Sequence, residues 1–332
     1  MKGRVLIILF IVIQQFTNAQ DYFFSQFYAA PLILNPALTG LSNGDYRLNI
    51  NYRNQQKGIV PYTTYSAAFD SKILRSFTGD NTLAAGIVYL NDGYADGVLN
   101  NLSMLFSTAY HQVFGTKKNH FLSGGLQIGL LQRRIDQTKL SFSNQWSIAN
   151  GYDPSIQHGM NFSADQINSA DINLGILWYH FLSDKSSVFL GVDAAHLIAP
   201  KESFFGIDNR LSKRYLVHLG SRLPLSESMA IVPNLIYNSQ NKISQAVIGS
   251  LVDYSLNEDV ILKSGLWYRN RDKSAIFMAG VELYSMQVSL SYDFYSGVQR
   301  TAGSNGGFEI SLVYSPYLKP IVKLKSNPGT RF

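Results

Sequence analysis

MQVSLSYDF, Met286–Phe294, alternates without a break: Met286, Val288, Leu290, Tyr292 and Phe294 are apolar, and Gln287, Ser289, Ser291 and Asp293 between them are polar. Phe308–Tyr314 repeats the pattern with Phe308, Ile310, Leu312 and Tyr314. A period of two marks a strand with one apolar and one polar face. Working back from these two, fourteen such stretches run from Asp45 to Ser315, near 45–55, 63–74, 82–91, 98–113, 119–134, 171–183, 187–198, 213–223, 228–239, 243–256, 259–270, 274–284, 286–296 and 307–315. The chain is therefore expected to be all-β: a transmembrane antiparallel β-barrel of about 14 strands, with an N-terminal segment outside the barrel pattern.

The first stretch shows which face is which. Tyr46, Leu48, Ile50 and Tyr52 alternate with Arg47, Asn49, Asn51 and Arg53. An arginine at the bilayer midplane costs roughly 2–4 kcal/mol, so Arg47 and Arg53 should face the lumen. Leu83–Leu90 is weaker, being apolar on both faces, with Ala84 and Gly86 as its small interior residues. The connections alternate in length: short turns near 77–80, 116–118, 184–186, 224–227, 257–258 and 285, and mostly longer loops near 56–62, 92–97, 135–170, 199–212 and 297–306. Short periplasmic turns and long external loops are the outer-membrane asymmetry. A soluble β-sandwich is the competing fold, but its strands average five or six residues, whereas several here reach eleven to sixteen.

The start of the chain reads as a secretory signal over 1–19: Lys2 and Arg4, an apolar run from Val5 to Ile13, and Thr17-Asn18-Ala19 as the cleavage site, with processing expected after Ala19. That run is too short for a comfortable membrane helix. Composition agrees with export to the bacterial outer membrane. Charged residues make only 15%, against roughly 25% in soluble domains, and 20 Tyr and 20 Phe can supply interfacial aromatic girdles. There are no cysteines, so the sheet must hold itself by its hydrogen bonds. The net charge of +6 includes Lys2 and Arg4, and falls to +4 without them. The basic residues are scattered, which argues against nucleic acid and leaves membrane lipid as the bulk contact.

No pattern of catalysis, cofactor binding or metal ligation emerges. The six histidines (His111, His120, His158, His180, His196 and His218) form no close metal-binding pair. Asp193 and His196 are three apart, which puts them on opposite faces of one regular strand. Gly303-Ser304-Asn305-Gly306-Gly307 lacks the lysine and following helix of a phosphate loop. We expect no enzyme.

The remaining chain falls into three pieces around a 45–315 barrel. Residues 20–44 carry Pro31, Pro36 and aromatics without alternation, and could plug the lumen with Phe24, Phe27, Tyr28 and Leu34 or form a periplasmic strap. The 135–170 loop, with Trp146, Tyr152 and Phe162, is long enough to need a function, as a cap or as a docking surface. A periplasmic tail, 316–332, carries Lys319, Lys323 and Lys325.

Several motifs resemble the PorP/SprF family. They are Phe24-Ser25-Gln26-Phe27, Tyr28, Pro31-Leu32 and Leu34-Asn35-Pro36-Ala37 before Gly40, then Asn51-Tyr52-Arg53-Asn54-Gln55, Thr64-Tyr65-Ser66 and Asp70. Ala195-His196-Leu197, Trp267-Tyr268-Arg269, Tyr292-Asp293 and Glu309-Ile310-Ser311-Leu312 extend the likeness along the chain. The resemblance implies an outer-membrane component of type IX secretion and gliding motility. It would hold an exported surface protein such as an adhesin, or link to periplasmic and outer-membrane secretion components. It also makes Phe24, Gln26, Phe27, Tyr28, Pro31, Asn35, Pro36 and Gly40 candidate plug or partner contacts. The alternative is a transport channel for small or apolar solutes.

Overall fold

The structure, a computed structural model, describes residues 21, 23–55, 61–75, 81–147, 151–153, 155–156, 159–297 and 306–317. The signal segment 1–19 and the tail beyond Tyr317 lie outside the described residues. The barrel strands are β1 (Tyr46–Gln55), β2 (Tyr62–Arg75), β3 (Thr82–Tyr94), β4 (Leu99–Phe114) and β5 (His120–Ile135). After a small external hairpin, β6 (Trp146–Ser147) and β7 (Gly151–Tyr152), come β8 (Gln166–Phe181), β9 (Ser187–Ala195), β10 (Arg214–Pro224), β11 (Met229–Gln240) and β12 (Ile243–Ser255). The last four are β13 (Val260–Arg269), β14 (Ser274–Leu283), β15 (Met286–Tyr295) and β16 (Gly306–Tyr314).

Leaving out the β6–β7 hairpin, these make a closed barrel of fourteen antiparallel strands, each paired with its neighbours in sequence and β1 closing on β16 from Leu48↔Tyr314 to Gln55↔Gly307. Closure removes every long edge from the bilayer and excludes the sandwich. Each expected strand is present, within a few residues at most ends; β8 begins five residues before the alternation does.

Alternation places the side chains as lipid requires. On β1, Ile50 and Tyr52 face out while Arg47, Asn49, Asn51 and Arg53 are buried in the lumen. Tyr46, Phe69 and Tyr314 make an aromatic cluster at one rim, and Tyr62 and Tyr94 pair at the other. Inward-facing residues are not uniformly polar, however. Leu177, Tyr179, Phe189, Ile236, Leu251, Trp267 and Met278 point inward and are buried, so much of the lumen is an apolar core.

The segment ahead of β1 fills that core. It has three short helical turns, Phe27–Ala29, Pro31–Leu34 and Pro36–Leu38, the last two opening on a proline at the first helical position. Leu32, Leu38 and Leu41 are each 1% exposed. Burial of a leucine contributes about 1.5–3 kcal/mol, enough to hold a chain with little regular structure of its own. Leu32 packs with Ala68, Val88 and Leu105, and Phe24 and Ala30 with Leu90. The doubly apolar β3 is thereby explained: its outer face meets lipid and its inner face meets this segment.

Candidate functional site: a luminal segment and an outer platform

The luminal segment crosses the whole barrel. Asp21 sits at the long-loop rim, its N–H donating to Gln240 Oε1 at the end of β11 (2.8 Å) and its carboxylate 2.6 Å from His196 Nε2, just beyond β9. At the opposite rim, the Gly44 N–H donates to Ser315 Oγ (3.1 Å) and Asp45 N–H to the Pro316 carbonyl (2.9 Å).

Between these ends, polar groups tie the segment to the wall. Arg53 of β1 pairs with Asp293 of β15 (2.6 Å) and Glu309 of β16 (2.9 Å), and Arg269 of β13 with Asp293 (2.7 Å). Ser25 enters this cluster. Its hydroxyl donates to Asp293 (2.7 Å) and accepts from Arg53 and Arg269. The Ser25 and Gln26 N–H groups each donate to the Glu309 carboxylate at 2.9 Å, while the Gln26 amide bonds Ser291 and Ser311. The cluster lies across the β1–β16 closure, so the segment pins first strand to last.

A second anchor lies near the rim where Gly44 exits. Arg47 forks onto Asp70 (2.8 and 3.0 Å) and donates to the Leu38 and Leu41 carbonyls; Asp70 also accepts the Gly40 N–H (2.5 Å). His111 lies 2.7 Å from the Thr39 carbonyl. A third anchor is mid-barrel. Asn35 donates to the Ile176 and Val192 carbonyls (3.2 Å each), lies 3.1 Å from His218 Nε2, and caps the last turn by accepting from Ala37 N–H. Pro36 and Ala37 press on the paired glycines Gly125 and Gly175. A Cβ on Gly125 would fall 2.3 Å from Pro36 C, and one on Gly175 1.9 Å from Asn35 Oδ1.

Each expected motif residue thus has a definite place. Phe24, Gln26, Phe27, Pro31, Asn35, Pro36 and Gly40 are buried, and Phe27 and Tyr28 pack on Trp267 at 6.1 and 5.9 Å. A cavity of about 40 Å³ lies between the segment and the wall, lined in part by Phe27, Leu34, Phe189, Leu251 and Lys263.

Sequence reasoning missed the outer anchor around Asp21. The β9 strand ends at Ala195, and His196 takes a left-handed backbone (φ 58°), so the expected strand parity fails there. Its ring lies between Asp171 (3.0 Å) and Asp21 (2.6 Å), while Asp193 pairs with Arg214 (3.1 Å). Burial opposes charge on His196, but Asp21 and Asp171 outweigh it and raise its pKa to about 9. Burial likewise raises Asp21, yet His196 and Arg214 hold it at about 2. The available signal was the row of charges on inward positions, which a lumen must neutralise internally.

The outer loops behave differently. Trp146 and Tyr152 face each other across the β6–β7 hairpin (5.3 Å) and are 59% and 40% exposed. Phe162 packs at a tilt against Phe205 of the 196–213 loop (4.9 Å), and Ser163 N–H donates to the Phe204 carbonyl (2.8 Å). Arg133 of β5 pairs with Glu202 (2.7 Å). The described parts of the two loops therefore meet at Phe162–Ser163 and Phe204–Phe205 in an outer platform; Phe205 and Ile207 are exposed there, and Trp146 is exposed on the hairpin.

A closed antiparallel barrel of fourteen strands, apolar outside and with an N-terminal segment bonded to its inner wall, is an outer-membrane β-barrel protein. Residues 16–314 match the type IX secretion system membrane protein family PorP/SprF, and the chain belongs to that family. None of the curated proteins matches the sequence. Among solved structures it is similar to the toluene transporter TbuX of Ralstonia pickettii (12% identity, TM-score 0.53, 86% of this chain and 92% of that one). It is also similar to a mutant of TodX, a monoaromatic hydrocarbon channel (10%, 0.55, 86% and 93%), and to the Pseudomonas putida toluene transporter TodX (10%, 0.50, 89% and 94%). At such identities the likeness establishes the barrel fold alone.

Proposed function

We propose that this barrel serves type IX secretion as a holder: its outer platform binds an exported surface protein, adhesin-like in role, and its periplasmic side meets secretion or gliding components. The observation carrying this reading is the division of the molecule. The lumen is occupied from rim to rim by hydrogen-bonded chain, while Trp146, Tyr152, Phe205 and Ile207 are exposed on the external loops, outside the lipid-facing wall. Apolar side chains exposed side by side in one patch mark an interaction site. In this reading residues 20–44 are a plug that closes the pore.

A second reading, a channel for small apolar solutes, draws support from the similar fold of hydrocarbon transporters and from the apolar luminal cavity. Benzene binding has needed an engineered cavity of about 150 Å³, well above this one, so passage would require the segment to move.

Affinity purification of the full chain from mild detergent tests the first reading. It expects a surface protein or a periplasmic secretion component to co-purify. Recovery of the barrel alone, with high conductance in planar bilayers, would favour the channel. Removal of residues 23–41 should raise conductance; unchanged conductance would sink the plug.

A further inference from the structure

Strand β8 stands higher than its neighbour. Its last partner toward the outer rim on β9 is Leu174↔Ala194, whereas on β5 its pairing continues to Gln166↔Arg134. Residues 166–173 are therefore ladder-paired on one side only. The backbone parity of that free side is fixed by bonds already made: Asp165 and Phe181 bond toward β5 (Ile135 N–H to the Asp165 carbonyl, Phe181 N–H to the Asn119 carbonyl), so odd residues face β5. Ile172 bonds the other way, accepting the Leu197 N–H at 3.0 Å. Gln166, Asn168 and Ala170 share its parity, and among the described residues no other backbone group bonds to them on that side.

Polar side chains flank this edge. Along the outward face the side chains change from Leu174 and Ile176 to Asn168 and Gln166, and on β5 from Ile128 and Leu130 to Gln132 and Arg134. Gln132 donates to Asn168 Oδ1 at 3.1 Å, a polar pair just above the apolar band. The 196–213 loop passes this stretch on its luminal side, where Glu202 meets Arg133 and Ser169 Oγ donates to the Lys201 carbonyl (3.1 Å), and it makes no backbone bond to Gln166, Asn168 or Ala170. Native proteins usually cover, charge or interrupt a free edge of this kind.

We propose that residues 166–170 of β8 are a strand-addition site for an extended segment of the exported protein, an assignment that rests on the docking role above and specifies its mode. A row of unpaired N–H and C=O groups at strand spacing is matched by another extended backbone. The edge adjoins the loops that carry Phe162 and Phe205, so a bound segment would continue onto the platform. A second copy fits poorly. Barrels inserted in one membrane share a vertical direction, so a copy's β8 could add only in parallel, with its own wall beside the wall under this notch.

The test uses the full chain in the outer membrane, with the photocrosslinker p-benzoyl-L-phenylalanine placed at Gln166 or, separately, at Phe205. The Gln166 position should yield crosslinked peptides from one extended stretch of an exported protein. Asn168→Pro removes an N–H aimed at the free edge without touching the β5 ladder, and should lower that yield about fivefold, the value of one hydrogen bond. Asn168→Ala, which loses only the side-chain bonds, should leave it unchanged. An equal yield in Asn168→Pro, or crosslinks solely to lipid or to another copy, overturns the proposal. Capture from Phe205 but not from Gln166 sinks strand addition and leaves the docking role standing; capture from neither sinks both. If the proline variant does not fold, amide exchange at Ala170 decides: protection in the crosslinked complex relative to the free barrel supports the site, and equal exchange refutes it.

Discussion

The luminal segment and the outer platform are both chain outside the barrel ladder, held by the same strands, yet they treat their polar and apolar groups in opposite ways. In the lumen, Ser25, Gln26, Asn35 and Gly40 give their hydrogen bonds to wall residues, and Leu32, Leu38 and Leu41 are buried. On the described parts of the outer loops the hydrogen bonds are largely internal, and Trp146, Phe205 and Ile207 are exposed. The first arrangement fixes a position; the second leaves surface free for a partner. The difference locates rigidity inside the barrel and the proposed recognition outside it.

Breaking the charged cluster should have the largest effect. Arg53→Ala strands Glu309 and part of Asp293 as buried carboxylates, and loss of one member of such a cluster costs about 3–5 kcal/mol. The urea midpoint of the folded barrel should fall accordingly, and Arg53→Lys should recover only part, because one ammonium cannot reproduce the fork. Next comes Gly125→Val. Its side chain would collide with Pro36 and Ala37, an overpacking cost of about 1–3 kcal/mol, and amide protection across 31–41 should drop while the β1–β16 pairing survives.

A smaller and local effect is expected at the Asp21 anchor. The His196 pKa is raised, so its contribution is whole below the ordinary value of 6.5 and lost as pH rises through about 9. The Asp21 pKa is depressed, so its contribution is present above 3.8 and lost as pH falls through about 2. The outer end of the segment should stay docked between these limits. Its amide protection, measured against the intrinsic exchange rate, should fall above pH 9, and His196→Ala should remove that step. Smallest of all, Trp146→Ala with Phe205→Ala should change barrel stability by only about 0.5 kcal/mol, yet abolish co-purification of the exported partner. A large loss of stability would mean the platform is structural, and the contrast between the two regions would fail.

Much of this was legible in the chain. Alternation at Met286–Phe294 and its thirteen counterparts gave the strands, their order and the inward aim of Arg47 and Arg53, because lipid penalises any other parity. The motif around Phe24–Gly40 set apart the segment ahead of β1, with a luminal plug and a periplasmic strap both left open, and its hydrogen-bond partners could not be read. Arg53, Arg269, Asp293 and Glu309 are up to 256 residues apart, and only closure of β1 on β16 makes them one cluster. His196 escaped the parity argument because its strand stops one residue earlier. The free edge of β8 was equally hidden, since it arises from unequal lengths of two neighbours rather than from any residue in either. Period-two patterning is a local record of which side meets lipid, so sequence alone determines the barrel. What occupies the lumen and which edge stays open depend on contacts between distant strands, and those exist only once the sheet has closed.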